Sequence, residues 1–405
     1  MRVALAVEGT RGDVYPLLAL GAALRGRGHS VLVCGPPDFE PVTRERGMDF
    51  RPVGDSVREY LEAHAEVLAG RGLAVLREGA RYLSTCLDAQ FGSLPGATRD
   101  VDRIIGGGIQ LAGPSVAELH GIPYRYLVYC PALLPSSEHA PILLPLQSMP
   151  SWANRISWRA ALALHDRLLR PALNRKRAAL GLKPIHEVYR HLVTPRPLLA
   201  ADEELAPYPI DCPFEVERIG CLHPMQGDPL PAKLVAFLEQ GPAPVYFGFG
   251  SMTDPDPART TRGILQAVTT LGCRAILSQG WAGLGEVALP EGVITIGPVS
   301  HAELFPHVAA VVHHGGAGTT TTAARAGVPQ ILIPHVLDQF YWAKRVTLLG
   351  LGPPPIPRNK LAGECLEIAL SMVLDNETLS ERAHDLGVRL RSRSSDDVDL
   401  ARLLA

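Results

Sequence analysis

Short β-branched runs alternate with amphipathic helical segments twice along this chain, and that alternation restricts the fold more than any other feature. "RVALAV" reads as a strand and "PLLALGAALRGRG" as a helix, with Pro16 near its first turn and Gly28 at its end; "SVLVCG" and "FEPVTRERG" repeat the pair. Strands joined in this way form right-handed crossovers and a parallel sheet covered on both faces. The pattern recurs weakly through "DRIIGGG", "AGPSVAELHG" and "YRYLVYCPALL". A second series runs from "APVYFGFGS" through "CRAILSQ", "GVITIG", "VAAVVHH" and "PQILIPH" to "FYWAKRVTLLG". The expected fold class is therefore α/β, with two Rossmann-like domains whose parallel sheets face each other across a cleft.

The 405 residues exceed what one hydrophobic core usually fills. The expected division is an N-terminal domain over residues 1–205, a proline-rich linker over 206–231, a second domain over 232–380 and a helical tail over 381–405. Between Pro131 and about Pro184 a proline-broken apolar stretch leads into an amphipathic helical region; it either walls a pocket or packs on the sheet. Hydrophobic residues make up 46% and charged residues 20%, with a formal net charge of -2, the profile of a globular protein. No basic stripe alternates with aromatics, which argues against a nucleic-acid partner. No apolar run is long enough to cross a bilayer, and "MRVALAVEGTRGD" lacks a signal-peptide pattern. Seven dispersed cysteines without C-x-x-C spacing read as free thiols, so a cytoplasmic location is expected. Oligomeric state leaves no trace in the sequence.

The segment "VVHHGGAGTTTTAARAGVPQILIPH" places a glycine turn between a buried strand and a helix. At such a turn the first helical N–H groups lack intrahelical partners and the macrodipole contributes about half a positive charge. Glycines admit a ligand close to the backbone, and Thr319 and Thr320 add hydroxyls, which makes an anion site suited to a phosphate or diphosphate. The turn has no lysine and is no Walker loop; "EGTRGD" and "GFGSMT" lack the third glycine of a dinucleotide fingerprint, Thr253 standing in its place in the latter. Gly248, Gly250 and Ser251 end another strand and support the phosphate bed. Asp338 and Gln339 follow as an adjacent carboxylate and amide. A phosphate bed beside such a pair suits a nucleotide sugar.

"GTRGDVYPLLALGAALRGRGHSV" and "VVHHGGAGTTTTAARAGVPQILIPHVLDQFYWAKRVTLLGLGPPPI" together resemble the GT-B fold, nucleotide-sugar-dependent glycosyltransferases, in particular the bacterial antibiotic enzymes of the vancomycin and macrolide groups and the sterol 3-β-glucosyltransferases. The resemblance implies an N-terminal acceptor-binding domain and a C-terminal nucleotide-sugar-binding domain. It implies an inverting, metal-independent transfer from a UDP- or dTDP-sugar to a small hydroxylated, largely apolar acceptor, with no tightly bound cofactor. Asp13 would be the general base, with Thr10 and Gly12 of the same turn contributing to the ligand site. His314, Gly316, Gly318, Thr319 and Ser251 would hold the donor's phosphates, and Asp338 and Gln339 the sugar hydroxyls. Val299 would lie beside the base, and Trp281 would line the nucleoside pocket. Plant relatives use a histidine base and carry a ribose-binding glutamate where this chain has Thr322, which leaves ribose recognition unassigned. A nucleotide-sugar epimerase of the same architecture, or an inactive partner of another glycosyltransferase, are the alternatives.

Other residues have plainer readings. Asp13 alone would serve as a helix cap. Asp254-Pro-Asp256 resembles a metal-binding D-x-D but reads better as turn and cap residues. His313 reads as a packed neighbour of His314, His29 as a helix-end residue, and Tyr341 and Trp342 as core. His335 either borders the sugar site or closes a strand.

Overall fold

The computed structural model describes residues 1–65, 67, 73–194, 196–222, 229–361 and 363–392. Parts of the expected linker (223–228) and tail (393–405) lie outside them. Seven parallel strands form the first sheet: β1 (Arg2–Glu8), β2 (Ser30–Gly35), β3 (Asp49–Pro52), β4 (Arg103–Gly108), β5 (Tyr124–Val128), β6 (Leu198–Leu199) and β7 (Glu217–Arg218), in the order β3-β2-β1-β4-β5-β6-β7. The second has β8 (Val245–Gly248), β9 (Ala275–Ser278), β10 (Val293–Ile296), β11 (Ala310–His313) and β12 (Gln330–Leu332), also parallel, in the order β10-β9-β8-β11-β12. The strand order reverses between β1 and β4 in one sheet and between β8 and β11 in the other. Crevices at such switch points are where open α/β sheets bind ligands.

The helices used below are α1 (Arg11–Gly26), α2 (Leu73–Ala97), α3 (Ser151–Ala179), α4 (Pro257–Leu271), α5 (Ala317–Ala326), α6 (Gln339–Leu348) and α7 (Glu377–Ser392). Side-chain alternation along β1 explains why both faces are covered. Val3, Leu5 and Val7 pack with Leu17, Leu18 and Leu24 of α1, while Ala4 and Ala6 face Leu87, Phe91 and Leu94 of α2.

Three sequence expectations shift. Helix α1 starts at Arg11, not near Pro16, because Thr10 and Asp13 form a capping box that nucleates it a turn and a half earlier. Pro16 lies inside the helix and forfeits only the bond its missing N–H would make to the Gly12 carbonyl. Strand β7 falls within the segment read as linker, so the N-terminal sheet extends through it. The C-terminal helix, expected from residue 381, begins at Glu377 and packs on α5 so closely that a Cβ at Gly387 would sit 2.6 Å from the Gly327 Cα.

One apolar cluster joins the two halves. Tyr126, Val128 and Cys130 meet Tyr341, Trp342 and Val346 of α6 and Leu386 and Leu390 of α7. Polar contacts reinforce it: Arg345 Nε donates to the Leu205 carbonyl at 2.8 Å and Lys344 Nζ to the Gln147 carbonyl at 2.7 Å. The Arg325–Asp202 pair is at 3.6 Å. This junction ties the two domains together.

Candidate active site

Asp13 occupies the first turn of α1, directly beyond the carboxyl end of β1. The Thr10 N–H donates to its Oδ2 at 2.9 Å, and the Tyr129 hydroxyl donates to its main-chain carbonyl at 2.8 Å. Two glycines make room for the carboxyl. A Cβ on Gly9 (φ +139°) would lie 2.2 Å from Asp13 Oδ2; one on Gly108 (φ +63°) would lie 2.2 Å from the Glu8 carbonyl and 3.1 Å from the Asp13 Cβ. The capping reading is thus correct in itself. Burial pushes the Asp13 carboxyl up to about 7 against the opposing Thr10 N–H bond, and the charge of Asp338 in the other domain pushes it further the same way. A cap on the surface would show neither effect.

Sequence reasoning missed Glu8, the last residue of β1. It is buried, and Tyr82 of α2 donates to its Oε1 at 2.7 Å. Burial raises it to about 7, and the charges of Asp13, Asp38 and Asp55 add to the rise. A carboxylate ending an otherwise apolar strand, one residue before the glycine turn, was the signal available.

On the opposite side, β11 delivers two histidines with different duties. His313 is fully buried; its Nδ1 accepts the Gly315 N–H at 3.1 Å, so Nε2 carries the proton and faces Gln330 Oε1 at 2.9 Å. It shapes the turn, as the reading of a packed neighbour anticipated. His314 lies at the turn itself: a Cβ on Gly316 would come within 2.5 Å of its Nε2, and one on Gly250 within 3.0 Å of its Cε1. Burial, followed by the neighbouring His313, His335 and His301, drives His314 well below its usual range, so it is a neutral hydrogen-bonding group.

Gly316 is the N-cap of α5, whose first N–H groups have no intrahelical acceptor. A Cβ on Gly318 would meet nothing within 4 Å, which marks open space over the helix end. The four threonines then sort themselves. Thr320 and Thr322 donate to the Gly316 and Gly318 carbonyls at 2.9 and 2.8 Å, and Thr321 is buried. Thr319 alone among them is partly exposed with no hydrogen bond to a described residue. Ser251 follows Gly250, whose carbonyl accepts the Trp281 N–H at 3.1 Å, bringing the Trp281 loop against the same strand end. Val299, half-buried, precedes Ser300, the N-cap of His301–Leu304.

Asp338 and Gln339 are held by different partners. Asp338 Oδ2 accepts the Trp342 indole N–H at 3.0 Å, and burial lifts the carboxyl to about 6. Gln339 is buried and engaged with its own loop. Its Oε1 accepts the His335 and Val336 N–H groups at 2.7 and 3.0 Å, and its Nε2 lies 3.4 Å from Met252 Sδ. That amide braces a loop whose Leu337 sits at φ +53°, an unusual value for a branched residue. Trp342 is core, as expected, yet also anchors Asp338 from one turn along the helix. His335 closes its strand, its Nδ1 2.6 Å from the Ile333 carbonyl.

The D-x-D resemblance dissolves into capping. Asp256 accepts the Arg259 N–H at 3.0 Å at the start of α4; Asp254 accepts the Asp256 N–H at 2.9 Å and the Thr260 hydroxyl at 2.8 Å. Among the described residues no group of three or more His, Cys, Asp or Glu side chains could hold a metal ion, and no helix is long and apolar enough to cross a membrane. Burial pushes His301 down to about 4, and the charge of Arg11 pushes it the same way. The first turn of α1 carries both Arg11 and Asp13, and α1 packs against α5 of the second domain.

Residues 3–130 match the glycosyltransferase family 28 N-terminal domain, and residues 263–396 the erythromycin biosynthesis protein CIII-like C-terminal domain. The vancomycin aglycone glucosyltransferase of Amycolatopsis orientalis is 38% identical over 392 residues, covering 93% of this chain and 91% of that protein. A sterol 3-beta-glucosyltransferase of Arabidopsis thaliana is 31% identical over 405 residues, 94% of this chain and 64% of the other. The crystal structure of glycosyltransferase VinC in complex with dTDP shares the fold, with a TM-score of 0.72 at 21% identity over 100% of this chain and 98% of that one.

Proposed function

The chain belongs to the GT-B glycosyltransferases that include the vancomycin-group and sterol enzymes, and from that premise we propose that it moves a sugar from a UDP- or dTDP-sugar to a hydroxyl of a largely apolar small molecule, with inversion. The reading is carried by one observation: helix α1, whose first turn holds Asp13, packs against helix α5, whose N-terminus forms the phosphate bed, and the charge of Asp338 adds to the rise of the Asp13 carboxyl. An acceptor hydroxyl at Asp13 would then face a sugar held at Asp338.

In this reading one Asp13 oxygen holds the helix start while the other takes the acceptor proton. A carboxylate with an elevated pKa is a stronger base toward an alcohol than an ordinary aspartate, at the cost of partial protonation at neutral pH. The base and the leaving group belong to different domains, so attack comes from the face opposite the departing diphosphate. Growing charge on that diphosphate is met by the first N–H groups of α5, the hydroxyls of Thr319 and Ser251, a neutral His314 and the Arg11 cation. Such preorganised groups commonly supply the largest part of a rate enhancement. Asp338 accepts from sugar hydroxyls, held in place by Trp342, and Gln339 keeps its loop in shape. Trp281 borders the nucleoside. Thr322 donates to the Gly318 carbonyl and keeps only acceptor capacity for a ribose hydroxyl.

The relatives named above are a vancomycin aglycone glucosyltransferase and a sterol 3-beta-glucosyltransferase, which supports an acceptor with extensive apolar surface. A screen of UDP- and dTDP-sugars against polyketide, macrolide, glycopeptide-aglycone and sterol acceptors, read by mass spectrometry, tests the proposal. A product heavier by one sugar residue is expected. Release of free sugar or an epimerised donor, with no adduct on any acceptor, would contradict it.

A further inference from the structure

Helix α3 has a face that neither the sheet nor the cleft uses. Its inner side is well anchored. Trp158 donates to the His139 carbonyl at 3.1 Å, and Arg177 reaches Ser115 Oγ at 2.9 Å and Glu118 at 2.8 Å. Outward, two adjacent rows of side chains run along the helix at four-residue spacing, the ridges into which helix surfaces naturally divide. One row is Trp152, Ile156, Ala160, Leu164 and Leu168. Its four large members are 66%, 56%, 44% and 53% exposed. The neighbouring row is Arg155, Arg159, Ala163, Arg167, Pro171 and Arg175, all exposed.

None of the four arginines forms an ion pair with a described residue. The one acidic residue of the helix, Asp166, is occupied by the Val188 N–H at 2.8 Å. The apolar row continues into the preceding loop, where Leu143, Leu144 and Leu146 are also exposed. From Trp152 to Leu168 the ridge is about 24 Å long, too large and too regular for scattered surface apolar residues.

We propose that this face rests on an anionic lipid surface, with the apolar row in the headgroup–acyl boundary and the arginines on lipid phosphates. The charge pattern decides among occupants. A second copy of the chain would bring the same arginines together unpaired. A protein partner would meet a convex ridge with almost no hydrogen-bonding groups besides guanidinium. An apolar ridge edged by arginines is the pattern of helices lying in a membrane interface, and basic side chains each add attraction to anionic lipid. A tryptophan at one end suits the headgroup level. The helix lies on the bilayer and does not span it.

The test is co-sedimentation of the full chain with phosphatidylcholine vesicles made with and without phosphatidylglycerol. Binding is expected only with phosphatidylglycerol, with a blue shift of fluorescence lost in Trp152→Phe, and release in molar salt. Ile156→Glu/Leu164→Glu should cut the bound fraction at least about tenfold. Arg155→Gln/Arg159→Gln/Arg167→Gln should cut it about a hundredfold, from roughly one tenfold step or less per arginine. Circular dichroism and transfer to a soluble acceptor should stay unchanged in both variants, which keeps a folding failure distinguishable. Equal binding to both vesicle types, no binding to either, or unaltered binding by the folded variants overturns the proposal. Self-association without vesicle binding would assign the face to a second copy instead.

Discussion

Lowering the pH should switch transfer off far sooner than an ordinary aspartate would allow. Burial in the glycine-lined niche raises the Asp13 carboxyl from 3.8 to about 7. At pH 6 about one molecule in ten then carries an ionised base, and at pH 5 about one in a hundred. The kcat/KM for the donor reports the free enzyme, and it should fall about tenfold for each unit below pH 7. Asp338→Asn supplies the control. Its amide oxygen can still accept the Trp342 N–H, but the charge that lifts Asp13 is gone, so the acid limb should move to lower pH whatever happens to its height. Initial rates by liquid chromatography between pH 5 and 8, at constant ionic strength, give both limbs. A profile that stays flat to pH 5 would refute the buried-base argument. An unshifted limb in the Asp338 variant would refute the electrical contact between the domains.

The same burial has a thermodynamic sign. The folded state binds more protons than the unfolded state between about pH 4 and 7, so the Asp13 contribution to stability is lost as pH rises through that window. Asp13→Asn should therefore be more stable than the parent at pH 8 and indistinguishable from it near pH 4 in urea titrations; equal stability at pH 8 would contradict this. Gly9→Ala should reduce kcat more than tenfold and lower the melting temperature, because its Cβ would lie 2.2 Å from Asp13 Oδ2; a fully active variant would show that the niche yields freely. Gln330→Leu leaves the buried His313 Nε2–H without its acceptor and should cost about 1–3 kcal/mol by chemical denaturation, with no loss expected if the ring finds another partner.

The layered architecture was legible because hydrophobic periodicity encodes it directly. The strands around the switch points, the glycine turn and the placement of Asp13 in one half and Asp338 in the other followed from it. Strands β6 and β7 escaped, since two-residue pairings carry no period. The start of α1 was misjudged because Pro16 looked like a first-turn residue, while the Thr10–Asp13 pair was the stronger nucleator. The loop contacts of Gln339 could not be read from its neighbour, because they depend on a loop whose path is set by packing. Glu8 and Arg11 take their meaning from groups distant in the chain, as does the apolar junction that ties Tyr126 and Cys130 to Trp342 and Leu386.

The central claim is that a carboxylate of the first domain serves chemistry on a nucleotide held by the second. Calorimetry of dTDP and UDP binding to Asp13→Asn, paired with single-turnover transfer at saturating donor, tests it most directly. Nucleotide affinity within about twofold of the parent and transfer slowed by at least about a hundredfold are expected. Transfer at the parental rate would remove Asp13 from the reaction, and loss of nucleotide binding in parallel with activity would place its role in holding the donor.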